Sequence, residues 1–283
     1  MPSLKELKNR KKSITATRKV TSAMKMIAAS KLKKSQDNMI KARPYSAKIK
    51  SVIKMLVSTT ENVSSDFLKK RPGTRTLYIL ITSDKGLCGG FNNNIIKTFS
   101  SVYNPNEDSI IAVGNKIVSY LEKNKYNVIK NYSNAFNNLN IDSAVDIGSE
   151  LITMYNDNRI DKAIIIYNRF QSALSQIVVK EKILPIEFED TDEESHKAYR
   201  EFMTDPSPAE LFDMIFPKYI NYLIWRGLLE SYASENAARL ATMDSATENA
   251  MDMINAMTIQ INKARQSAIT QEISEIVGGS SLE

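Results

Sequence analysis

The sequence predicts an α/β protein: a long antiparallel coiled coil of N- and C-terminal helices plus a small central α/β domain. Three observations predict it. Residues 3–57 hold no glycine and a single proline, Pro44. A heptad series runs without a slip from Leu229 to Ala268. Between these stretches, apolar runs of strand length alternate with helical ones. The resulting organisation is residues 1–58 as one coiled-coil helix, 75–195 as the central domain and 206–279 as the second helix, paired with the first.

The first helix is dominated by Ala, Lys, Met, Leu and Gln, residues that lose little on entering a helix. Ser3 and Glu6 have the spacing of a capping box and should start it, with a kink expected near Arg43-Pro44. Leu32, Ser35, Met39, Ala42, Ser46, Ile49, Ile53 and Leu56 advance by three and four, which is a heptad seam. Upstream, Met24, Ala28 and Leu32 step by four and four, which predicts a stutter.

The second helix follows Pro206 and Pro208. Its series Leu229, Ala233, Asn236, Leu240, Met243, Thr247, Ala250, Ile254, Met257, Ile261, Ala264, Ala268 keeps a strict 3.5-residue period, the pattern of a left-handed coiled coil. Gly278-Gly279 should end it at the C′ position. In the centre, Leu77–Thr82, Ile110–Val113, Ala163–Tyr167 and the weaker Ile177–Val179 read as strands. Helices are expected at about Asn94–Ser101, Lys116–Lys123 and Asp142–Asn156. Alternation of this kind builds a mostly parallel sheet covered by helices. The acidic stretch Glu187–Glu194 reads as a solvent loop.

Length sets the architecture. At ~1.5 Å per residue the two helices would reach roughly 80 and 100 Å, against about 30 Å for a small domain, so they must project and pair. With Leu56 beside Ala209, antiparallel pairing brings Leu4 near Ile261 and leaves about 16 residues of the second helix alone.

Composition narrows the chemistry. One Cys (Cys88) and one His (His196) exclude an intrachain disulfide and argue against a Cys–His nucleophile pair or a His/Cys metal cluster. No apolar run is long enough to span a membrane. Residues 1–50 carry 15 Lys/Arg against Glu6 and Asp37, whereas the rest of the chain is net acidic. A basic arm of this kind suits a polyanion or an acidic protein surface, and equally a solvated helix face. The turn Ser83-Asp84-Lys85-Gly86-Leu87-Cys88-Gly89-Gly90-Phe91-Asn92 sits between a strand and a helix, where phosphate loops occur. It lacks a Gly-Lys-Ser/Thr ending and does not match G-x-G-x-x-G, so its glycines are better read as a tight turn. Asp84 and Asp244 are acids for which the sequence identifies no partner.

Four segments, in order, resemble the gamma subunit of F-type ATP synthase: Thr21–Leu32 (TSAMKMIAASKL), the Ser83–Asn92 turn, Ser234–Arg239 (SENAAR) and Asn262–Val277 (NKARQSAITQEISEIV). The resemblance extends from about residue 3 to 279, departing where Gly278-Gly279 replaces the usual Gly-Ala. It implies a Rossmann-like central domain and a rotor shaft with no catalytic, cofactor or metal residues of its own. The shaft would turn inside an alpha/beta catalytic hexamer and stand, with the epsilon subunit, on the membrane proton ring. Proton flow would thereby be coupled to conformational cycling of the beta subunits. Family similarity from the first residues implies a bacterial protein, peripheral on the cytoplasmic face of the inner membrane. The single Cys excludes the chloroplast branch with its regulatory disulfide. Residue by residue, Met24, Lys25 and Arg239 match contacts at the coupling level, with Met24 and Arg239 expected to lie level. Arg265, Gln266, Thr270 and Glu272 match the upper contacts. Two other classes fit parts of the pattern. A nucleic-acid-binding zipper would need a base-reading cluster and aromatic interleaving, and the arm has neither. A nucleotide-dependent enzyme would need the Gly86–Gly90 turn to hold phosphate.

Overall fold

The computed structural model describes residues 3–59, 65–137, 139–172, 175–187 and 208–280. Helix α1 covers Leu4–Thr59 and continues through Pro44. It begins with the capping box its sequence calls for. The Ser3 amide donates to Glu6 Oε2 at 2.9 Å, and the Glu6 amide donates to Ser3 Oγ at 3.2 Å. Two otherwise orphaned donors are thereby satisfied, an effect of roughly 1 kcal/mol for the serine cap.

A five-stranded sheet follows, made of β1 (Thr76–Ile81), β2 (Ser109–Val113), β3 (Val128–Tyr132), β4 (Lys162–Phe170) and β5 (Gln176–Leu184). Its order is β3-β2-β1-β4-β5, all neighbours parallel except the antiparallel pair β4–β5. The helices between strands are α2 (Phe91–Ser100), α3 (Asn115–Lys123) and α4 (Ile141–Asn156). Alternation along β1 sorts its side chains by face. Tyr78 and Leu80 pack with Ile95, Phe99, Ile117 and Leu121 of α2 and α3. Leu77, Ile79 and Ile81 pack with Ile147 and Leu151 of α4, with Ile53 of α1 and with Phe216, Ile220 and Ile224 of the last helix. Strand β3 is absent from the sequence-based expectation because it is an edge strand, half-buried and interrupted by Lys130 and Asn131. The weak run Ile177–Val179 is the start of a nine-residue strand whose Lys180, Glu181 and Lys182 disguise its length.

Helix α5 spans Pro208–Ser280, passing through Pro217 and through Gly278-Gly279. The expected stop at the glycine pair is therefore corrected. Glycine in a helix costs about 1 kcal/mol relative to alanine but does not forbid it, and nothing here imposes a left-handed turn. Close packing on the sheet depends on a different glycine. A Cβ on Gly227 would stand 2.7 Å from Ile165 Cδ1. The acidic stretch Glu187–Glu194, apart from Glu187, lies outside the described residues.

The chain divides into two compact units. One is built from the residues up to Ala29 and those from Arg239 onward; the other is Ser30–Ala238, which holds the sheet.

Candidate functional site

In the first unit α1 and α5 run antiparallel. Leu7, Thr21 and Ala28 are buried, and Lys11, Ile14, Arg18 and Lys25 are half-buried. These positions continue the heptad of Leu32 and Ser35 back to the helix start, so the expected stutter is not present. The seam position is taken by Lys25, and Met24 flanks it, half-buried. A lysine can hold a seam because its stem packs while its ammonium reaches outward, here to the Asp244 carboxylate. The hydroxyls of Thr21 and Thr247 meet at 2.8 Å, and Arg18 Nη1 donates to Met251 Sδ at 3.0 Å. On α5, Met243, Ala250 and Met257 are buried and Thr247, Ile254, Ile261 and Ala264 half-buried, which is the heptad series read from the sequence.

These pairs also fix the register. Thr21 opposite Thr247 and Lys25 opposite Asp244 put Met24 level with about Asp244 and Ser245. Arg239 lies about eight ångströms further along the axis at ~1.5 Å per residue, so the two residues are not level as expected. Ile261 accordingly lines an open groove with Lys8, Lys11, Lys12, Thr15 and Lys19 rather than meeting Leu4. The register expected from the seam is displaced by about one helical turn. The other end of that register, Leu56 beside Ala209, lies outside the described side chains.

From Arg265 to Val277 every described side chain is exposed, Arg265, Gln266, Thr270 and Glu272 among them. Ile269, Ile273, Ile276 and Val277 are exposed as well. Thr270 Oγ1 donates to Gln266 O at 3.0 Å, and Ser274 Oγ to Thr270 O at 2.9 Å, so both hydroxyls are tied to the helix. The structure brings Met24 and Lys25 together, whereas Arg239 and the four residues near the helix end form separate patches along α5.

In the second unit the Ser83–Asn92 turn leaves β1 at the switch point, where β2 lies on one side and β4 on the other. Asn92 Nδ2 donates to Ser83 Oγ at 2.8 Å and to Cys88 Sγ at 3.3 Å, and the Ser83 amide donates to Asn92 Oδ1 at 3.0 Å. Leu87 and Gly89 take positive φ values of 63° and 57°. Asp84 is buried, its carboxylate accepting from the amides of Asn115 (3.1 Å) and Phe136 (2.9 Å). The crevice where a doubly wound sheet holds nucleotides is occupied by α5 itself. Asn168 Nδ2 donates to Phe91 O at 3.1 Å, Ser234 Oγ donates to Asn168 O at 2.9 Å, and Cys88, Phe91 and Ala238 form one apolar cluster. The Ser83–Asn92 and Ser234–Ala238 motifs are thus two sides of one joint.

Sequence reading missed Arg18, Thr21, Asp244 and Thr247 as a polar layer. The heptad carried backward from Leu32 would have found the α1 members. It also missed Asn168, for which no local signal exists. No helix among the described residues is long and apolar enough to cross a membrane.

An antiparallel helix pair in which one helix runs on fully exposed, in a chain whose sheet carries the same helix across its crevice, fits the class of shaft proteins. The ATP synthase family profile matches residues 3–281. The chain is 42% identical over 290 residues to the ATP synthase gamma chain of Chlorobaculum parvum, covering 99% of this chain and 98% of that one. It is 40% identical over 284 residues to that of Geobacter metallireducens, with the same coverage. A chain of the Tetrahymena thermophila mitochondrial central stalk and c-ring matches with TM-score 0.63 and 30% identity over 80% of this chain and 99% of that one. A chain of the Euglena gracilis mitochondrial ATP synthase matches at TM-score 0.70 over 99% and 94%; at 18% identity it supports the fold alone. The chain belongs to the gamma-chain family of F-type ATP synthases, and its role is that of the central rotor shaft.

Proposed function

We propose that this shaft is non-catalytic and turns inside an alpha/beta hexamer, with its sheet domain standing beside the epsilon subunit on the membrane proton ring. In this reading it is peripheral, at the cytoplasmic face of a bacterial inner membrane. Residues 1–58 and 206–279 act as the shaft and 75–195 as its foot. Met24, Lys25 and Arg239 are the coupling-level contacts, and Arg265, Gln266, Thr270 and Glu272 the upper ones. The observation that carries the reading is the exposed stretch Arg265–Val277. A helix end with Ile269, Ile273, Ile276 and Val277 open to water needs a surrounding sleeve. The basic arm on α1 supports acidic beta-subunit segments as the surface it faces.

Met24 supplies the test. It flanks the Lys25–Asp244 pair, half-buried. A lysine there adds a charge able to bond an acidic loop in some rotary positions only, and a charge-assisted bond contributes roughly 1.5–3 kcal/mol. Those positions deepen and the barriers between them rise. Met24→Lys should assemble yet pump few protons per ATP hydrolysed in reconstituted vesicles, whereas Met24→Leu, similar in volume, stays near wild type. Wild-type ratios for both would make Met24 an ordinary packing residue. The purified chain alone should show no ATP turnover; activity that follows it through successive columns would end the non-catalytic reading.

A further inference from the structure

Four charged side chains between α5 and the β4–β5 hairpin close into a ring of alternating sign. Arg169 on β4 lies 3.6 Å from Glu230 and 4.0 Å from Glu181 of β5. Arg226 of α5 pairs with the same two carboxylates, with Glu181 by a hydrogen bond and with Glu230 at 4.0 Å, one turn along the helix. The Tyr167 hydroxyl donates to Glu181 Oε2 at 3.1 Å from a buried ring. Burial, with Glu230 and Glu181 close by, pushes that phenol up to about 12, so it stays a donor. The ring lies next to Gly227, where a Cβ would meet Ile165 Cδ1 of β4 at 2.7 Å.

We propose that Arg169, Glu181, Arg226 and Glu230 are positioning residues for energy coupling: their ring is the brace that passes torque between the sheet domain and α5. Apolar contact is non-directional, so a helix can shift along an apolar face with little loss until side chains collide. Charge pairs are directional and tied to fixed points, two on one helix and one on each of two strands. Moving α5 along the sheet lengthens pairs on one side and brings like charges on the diagonals together. Helix α5 is continuous from Pro208 to Ser280, and Arg226 and Glu230 lie in the part of it that packs on the sheet. Stability alone does not call for such a ring: its exposed side, at Arg169, contributes little to folding, and replacing its more buried pairs with apolar groups of similar size is often neutral or favourable.

That difference separates a brace from a folding contact. In the assembled, membrane-reconstituted complex, the apolar quadruple variant Arg169→Met, Glu181→Leu, Arg226→Met, Glu230→Leu should unfold at about the wild-type temperature. It should hydrolyse ATP at the wild-type rate without a gradient, yet pump at least about threefold fewer protons per ATP. The single variant Glu230→Gln should show the same loss in weaker form, and Arg226→Lys should retain coupling. Wild-type pumping by the quadruple variant, or by Glu230→Gln should the quadruple fail to fold, overturns the proposal. So does an equal fall in hydrolysis and pumping, which would make the ring a folding contact. The coupling-surface reading fails separately, through Met24→Lys.

Discussion

In the unit of residues 30–238, β1 and β2 bury Leu77, Ile79, Leu80, Ile110 and Ile111 completely, with large side chains on both faces. In the unit of the paired helices the buried seam is Leu7, Thr21, Ala28, Met243, Ala250 and Met257, and its centre is a hydroxyl pair and a half-exposed ion pair. The first arrangement removes much apolar area per residue, the dominant favourable contribution to folding. The second buries less, because half of its buried seam (Thr21, Ala28 and Ala250) is small. Its outer faces stay open, with Val20, Met26, Ile27 and Ile259 exposed. Helical stability comes mostly from tertiary packing, so the sheet unit supplies its own packing and the paired helices depend on surroundings.

Hydrogen exchange on the isolated chain should break or sharpen this comparison most sharply. Amides of β1 open only with the whole unit, whereas those at 260–277 need local fraying alone. Protection should differ by more than about a thousandfold, given ordinary domain stabilities. Equal protection would remove the contrast. A matched pair of truncations comes next. Ile79→Ala empties a fully buried site and should cost about 3–4 kcal/mol. Ile254→Ala, at a half-buried seam position, should cost about 1 kcal/mol. Urea titration followed by Trp225 fluorescence would report the first, and far-ultraviolet circular dichroism both. Similar costs would mean the seam is packed as a core.

The smallest effect concerns pH and belongs to the sheet unit. Hydrogen bonds from Arg75 Nε (2.9 Å) and Nη2 (3.0 Å) hold the Asp161 carboxyl below the usual carboxylate range. A depressed folded-state pKa contributes stability that is fully present above the unfolded value, about 3.9, and is lost as pH falls through the lower folded value. Urea midpoints measured across this acid range should fall for the wild type and flatten for Asp161→Asn. An unchanged acid slope in the variant would assign the loss to other carboxylates.

Much of the fold was legible because its signals are local. The capping box, the strands β1, β2 and β4 and the α5 heptads each depend on residues within a few positions of one another. The polar layer was not, since Arg18, Thr21 and Lys25 read as surface residues until the partner helix supplies Asp244 and Thr247. Asp84 looked isolated because its partners are backbone amides of Asn115 and Phe136, and every residue offers an amide. The one-turn error in register has the same origin: a heptad series repeats, and only the identities facing across it decide where it stops sliding. Of the candidate contacts, the exposure of Arg265, Gln266, Thr270 and Glu272 followed from helix length. The separation of Met24 from Arg239 required that register.

Cys88 has a practical consequence for spectroscopy. It is the chain's one thiol, and it lies buried under the Asn92 amide and against Phe91 and Ala238. Maleimide reagents that label at accessible thiolates should pass it by under native conditions. A cysteine introduced at an exposed site such as Ala268 would then take a fluorophore or spin label alone, with the natural Cys88 left in place.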